Sequence, residues 1–91
     1  MPTLVDTGIL LRAFDANSPQ YRAIRRALRK ALDDGERLVV TVQNMAEFWN
    51  VATRPLANNG QGLPTERAKR RVTIIERVCK VVCEDIGSYV E

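Results

Sequence analysis

The chain has 91 residues and a mass of 10.3 kDa, with 45% hydrophobic and 27% charged residues. That composition fits one small globular domain and excludes disordered, collagen-like and coiled-coil classes. Fourteen Lys and Arg against eleven Asp and Glu give a net charge of +3, and the absence of histidine excludes ordinary Cys/His zinc sites and histidine-based triads. No apolar run approaches the ~20 residues of a membrane span. Asp6 and Arg12 interrupt the apolar N-terminal stretch, so no signal peptide is expected and the expected location is cytoplasmic.

In chain order, Thr3-Leu4-Val5 reads as a short buried strand. It runs into Asp6-Thr7-Gly8 and a short helix at Ile9-Leu10-Leu11, followed by a loop at Asp15-Ala16-Asn17. Ser18 is placed to cap the next helix, with Pro19 at its first position. Tyr21, Ile24, Leu28 and Leu32 then fall on one helical face, and Gly35 suits a left-handed terminus. Leu38-Val39-Val40-Thr41 lacks polar alternation, as a strand of a parallel sheet does. A helix from about Val42 to Thr53 follows, with Met45, Ala46, Trp49 and Ala52 as its expected buried stripe and Arg54-Pro55 as its stop.

Leu56 to Pro64 is a loop rich in Asn and Gly. Thr65 is the expected cap of a helix carrying Ala68, Val72, Ile75 and Val78 on one side. A third strand is expected near Lys80 to Cys83, and the tail from Glu84 reads as a turn and the start of another helix. The order β-α-α-β-α-α-β predicts an α/β fold with a mainly parallel sheet.

In such sheets, ligands gather at the carboxyl ends of the strands. Asp6 ends the first strand, and Glu47 lies early in the helix after the second. Two carboxylates converging there repel unless a cation sits between them. A hard divalent ion, Mg²⁺ or Mn²⁺, suits carboxylate and water oxygens and can activate water for phosphoryl chemistry. Plainer roles stay open: Asp6 as a helix cap, Glu47 as a surface acid, and Thr7 as a cap or a support for a metal-bound water.

Glu47 is expected to be partly buried, because Ala46 and Phe48 flank it. Asp33, Asp34 and Glu36 belong to a helix end, and Glu84 and Asp85 to a polar turn. Phe48 and Trp49 are expected in the core. Cys79 and Cys83 read as small buried hydrophobes. The basic clusters Arg22, Arg25, Arg26, Arg29, Lys30 and Arg67, Lys69, Arg70, Arg71 read either as solvated helix faces or as a nucleic-acid surface.

The segments LVDTGILLRAFD, VVTVQNMAEFWNVATRP and LANNGQGLPTERA resemble the PIN-domain family, in particular its VapC-like toxin ribonucleases. The resemblance runs from Leu4 to about Cys83. It implies an α/β/α sandwich and a Mg²⁺- or Mn²⁺-dependent endoribonuclease that hydrolyses RNA and is blocked by a cognate antitoxin. It implies that Asp6 and Glu47 are the first two catalytic metal-binding acids and that Thr7 orients the site. Homodimers are usual in the family.

The C-terminal acids of that family have no counterpart in this sequence. The expectation is therefore a single, C-terminally incomplete PIN-like domain over residues 1–91. A homodimer or a complementing C-terminal fragment would cover the sheet edge and apolar faces left open. The alternative is a truncated, inactive homologue that acts only as a partner-binding or remnant module.

Overall fold

The computed structural model describes residues 2–83. Three strands, β1 (Pro2–Leu4), β2 (Arg37–Thr41) and β3 (Cys79–Val82), form one sheet in the order β1-β2-β3, with both pairings parallel. Helices α1 (Thr7–Ala13) and α2 (Tyr21–Asp33) connect β1 to β2, and α3 (Val42–Thr53) and α4 (Thr65–Val78) connect β2 to β3. This is the expected α/β class with a parallel sheet. Parallel neighbours need long crossovers, and each pair of helices supplies one.

The register sets which residues share a face. Thr3 pairs with Leu38, and Leu38 with Cys79, so Val5, Leu38, Val40 and Cys79 point to one side. All four are buried, and they join Leu10 of α1, Phe48 and Ala52 of α3, and Ala68 and Ile75 of α4 in one core. On the opposite face, Val39 and Val82 are half-buried, Lys80 is exposed, and Leu4 is 61% exposed. Burial in the apolar core also pushes the Cys79 thiol above its ordinary pKa. Cys83, expected to be buried as well, is exposed.

Several helix ends differ from expectation. Ser18 is not the cap of α2. The helix begins at Tyr21 behind Gln20, which makes no side-chain cap. The Ser18 hydroxyl instead accepts from the Gln20 N–H, forming a tight local turn that competes with capping. Thr65 is the first residue of α4 and Pro64 precedes it, so the phase of the start is one residue off. Gly35 does adopt the left-handed conformation, at φ 80°.

In α3 the buried residues are Phe48 and Ala52, with Met45 and Trp49 half-buried and Ala46 exposed. The stripe is thus 45-48-49-52: Ala46 drops out of the expected one and Phe48, expected in the core, completes it. Glu47, beside Ala46 on the outer side, is exposed rather than partly buried. The Asn-Gly loop folds back on the last turn of α3. The N–H groups of Gln61, Leu63 and Gly62 donate to the carbonyls of Val51, Ala52 and Arg54, acceptors that a helix end otherwise leaves without partners. A side chain at Gly60 would overlap the Arg54 backbone, so glycine is required there.

Phe48 is fully buried and its ring meets that of Phe14 at 5.9 Å. Phe48→Ala is expected to cost about 3–5 kcal/mol, whereas Leu4→Ala, on an exposed side chain, should change stability by less than ~0.5 kcal/mol. Urea unfolding of the two variants checks the contrast.

Candidate active site

Asp6 follows β1 and Thr41 ends β2, so both strands deliver their carboxyl ends to the same edge of the sheet. Asp6 is the N-cap of α1: its Oδ1 accepts from the Ile9 N–H at 2.9 Å. The capping role raised by the sequence is therefore real. It occupies one carboxylate oxygen and fixes the rotamer. Among the described residues, Oδ2 takes no hydrogen bond.

Across the edge, Thr41 caps α3 through a reciprocal capping box. The Asn44 N–H donates to Thr41 Oγ1 at 2.9 Å, and the Thr41 N–H donates to Asn44 Oδ1 at 3.3 Å. With its oxygen so engaged, the Asn44 amide presents its nitrogen to Thr7, donating to Oγ1 at 3.1 Å. The Thr7 hydroxyl in turn donates to Glu47 Oε1 at 2.8 Å, across a separation of 40 residues. Asn44 and Glu47 are three apart on α3 and so share the face turned to α1. Each polar group of this relay has a defined direction, and the second oxygen of Glu47 takes no hydrogen bond among the described residues.

Arg12 completes the surroundings. A side-chain carbon placed at Gly8 would lie 3.5 Å from both Asp6 Oδ1 and Arg12 Nη1. The guanidinium thus flanks the acidic edge from the turn below, across a glycine that leaves the space open. No ion pair joins it to Asp6 among the described residues.

The three residues singled out from the sequence, Asp6, Thr7 and Glu47, therefore meet at one edge. The other acids do not. Glu36 accepts from Thr3 Oγ1 at 2.6 Å at the amino ends of the strands, and Asp33 and Asp34 pair with Arg29 and Lys30 on α2. Glu84 and Asp85 lie outside the described residues. Sequence reading missed Asn44, although the spacing Thr41-x-x-Asn44 ahead of an apolar-rich helix carried the signal for a capping box. It also gave Arg12 no part in the site.

The donor set suits a hard divalent ion in type, since it offers carboxylate oxygens. It is small: among the described residues, no group of three or more His, Cys, Asp or Glu is placed to hold a metal. Such a site leaves most coordination positions to water and substrate oxygens, which Mg²⁺ accepts more readily than Ca²⁺ does.

In parallel α/β sheets ligands bind outside the carboxyl ends of the strands, in loops and helix starts, and that is the edge where Asp6, Thr7 and Glu47 lie. The family model of the PIN domain matches residues 3–91, and the chain belongs to that family, which is associated with nuclease activity. No curated protein matches the chain significantly.

Asn44→Ala removes one half of the capping box and the donor to Thr7. It is expected to lower stability by about 1 kcal/mol. A Thr7→Val variant, which keeps the capping box, should lose less stability while breaking the same relay. Thermal unfolding of both variants separates the two contributions.

Proposed function

We propose that the chain is a divalent-metal-dependent endoribonuclease of the VapC-like toxin kind, hydrolysing RNA phosphodiesters, with Asp6 and Glu47 as its catalytic, metal-holding carboxylates. The observation that carries this reading is the hydrogen bond from Thr7 to Glu47. It ties the residue next to Asp6 to an acid 40 positions away, so that two carboxylates share one edge in a PIN-family chain.

Asp6 and Glu47 would hold Mg²⁺ or Mn²⁺ through the oxygens their internal hydrogen bonds leave over. When bound, the ion supplies charge neutralisation at the phosphate and activation of water. The residues of the chain supply orientation. The Ile9 N–H locks Asp6, and Thr7, itself held by Asn44, locks Glu47. Thr7 is a positioning residue in this scheme. Arg12 adds a positive charge beside the acids, where an RNA phosphate approaches.

The toxin assignment rests on the likeness of LVDTGILLRAFD and MAEFWNVATRP to VapC-like chains. It brings with it a cognate antitoxin, RNA as substrate, a cytoplasmic place of action, and a homodimer or a complementing C-terminal fragment. A second reading, an inactive partner-binding module, is favoured by one observation: the described residues assemble two carboxylates rather than three or more.

Cleavage of a labelled RNA in Mg²⁺ or Mn²⁺ decides between them. The nuclease reading expects metal-dependent cleavage that falls at least ~100-fold in Asp6→Asn and in Glu47→Gln. Thr7→Val should lose about 10- to 100-fold, as the loss of an orienting partner does. Cleavage that persists equally in Asp6→Asn rejects the assigned site, and no cleavage by any form of the chain favours the binding module.

A further inference from the structure

Phe14, the C-cap of α1, is surrounded by guanidinium groups from two other helices. Arg25 of α2 places its Cζ 5.4 Å from the Phe14 ring centroid and 5.1 Å from that of Tyr21, and its Nε donates to the Ala13 carbonyl at 2.6 Å. Arg71 of α4 places its Cζ 5.4 Å from the same Phe14 ring. Arg67 stands one helical turn before Arg71, close enough that its charge, with that of Arg25, acts on Arg71.

The Arg71 guanidinium is half-buried, and its pKa lies below the ordinary value. Desolvation is the largest cause, followed by repulsion from Arg67 and then from Arg25. Asp15 is the acid that opposes them, and its Oδ1 is engaged by the Asn17 N–H. Among the described residues, Arg25, Arg67 and Arg71 make no ion pair, while Arg29 and Lys30 on the same α2 do. Two cations over one aromatic ring, a third a helical turn away on α4 and one acid nearby form a site short of negative charge.

The position of the cluster relates it to the acidic edge. Thr7 and Phe14 are seven residues apart and lie on one stripe of α1, and both meet α3: Thr7 at Glu47, Phe14 at Phe48. Seven residues of helix span about 10 Å, a distance that a short run of nucleotides bridges. Arginine is also the side chain best matched to phosphate oxygens, and one already stacked on an aromatic ring gives up less freedom on binding.

We propose that Arg25 and Arg71 around Phe14, with Arg67 one turn from Arg71 on α4, form a backbone-phosphate site for single-stranded RNA, engaging the strand a few nucleotides away from the Asp6/Glu47 edge. The site rests on the nuclease reading for its ligand but not for its chemistry. It acts without metal and fixes where along the strand the acidic edge falls.

The test is binding of a fluorescent single-stranded RNA in EDTA across a salt series. The double variant Arg67→Gln/Arg71→Gln should lose at least tenfold in affinity at low salt. Its log–log salt slope should flatten by about 0.7 for each phosphate that is no longer neutralised. Arg37→Gln/Lys80→Gln removes the same charge from the opposite sheet face and should lose little.

Cleavage in Mg²⁺ and binding in EDTA are read separately on the unaltered chain, so failure of the nuclease reading (no cleavage, binding retained) is distinct from failure of this site. Circular dichroism melting checks the fold of each variant. Should the double variant unfold, the exposed Arg67→Gln alone must still flatten the slope. An unchanged affinity and slope, or an equal loss in Arg37→Gln/Lys80→Gln, overturns the proposal.

Discussion

The Thr7 hydroxyl is the point on which the acidic edge depends. It accepts one hydrogen bond from Asn44 and donates another to Glu47, so a single oxygen joins the start of α1 to the second turn of α3. Both helices begin where a strand of the parallel sheet ends, and the parallel register is what brings those two starts side by side. An antiparallel pairing would send Asp6 and Glu47 to opposite ends of the sheet. The site is therefore a consequence of topology first and of hydrogen bonding second. The topology brings the elements together, and Thr7 fixes how the carboxylates are turned.

That arrangement gathers like charge at one edge, and the local structure gives each acid a fixed donor. Two carboxylates at one edge repel. Asp6 commits one oxygen to the Ile9 N–H, and Glu47 commits one to the Thr7 hydroxyl, each bond delocalising charge into a fixed donor. Arg12 flanks the pair across Gly8. The remaining oxygens have no donor among the described residues. An exposed pair so prepared is stable without a cation, because water solvates both acids. This separates the edge from a buried ion-pair network, which would collapse if its partner were lost.

The fold is legible in the sequence because its signals are periodic and redundant. The apolar run at Leu38–Val40, the helical steps from Tyr21 to Leu32 and the Gly35 terminus each point to elements that the structure contains. The differences lie where a signal is a single residue. Ser18 and Thr65 both have the chemistry of a cap, but Ser18 closes its own turn and Pro64 sets the start of α4 one residue earlier. In α3, Met45, Trp49 and Ala52 hold their expected places and Phe48 is buried as expected, while Ala46 and Glu47 are exposed. The 3.6-residue period alone does not fix which of these positions face outward when every residue from Met45 to Ala52 except Glu47 and Asn50 is apolar. The capping box could have fixed it. Thr41 and Asn44 orient the first turn, and Asn44 facing Thr7 forces Glu47, three positions on, to face it too.

The basic residues show a similar division between what composition carries and what packing decides. Sequence alone gives two clusters on two helices, equally suited to solvated faces. Packing sorts them. Arg29 and Lys30 are neutralised within α2 by Asp33 and Asp34 at the i, i+4 spacing, where exposed pairs contribute little but occupy the charge. Arg25 and Arg71 are drawn instead to the Phe14 ring, where α1, α2, α3 and α4 converge and where desolvation acts on Arg71. Positive charge thus gathers at one end of the α1 stripe and negative charge at the other. A polyanion with a divalent ion at one phosphate can satisfy both ends at once. A simple anion would meet only the arginines, and a free cation only the acids.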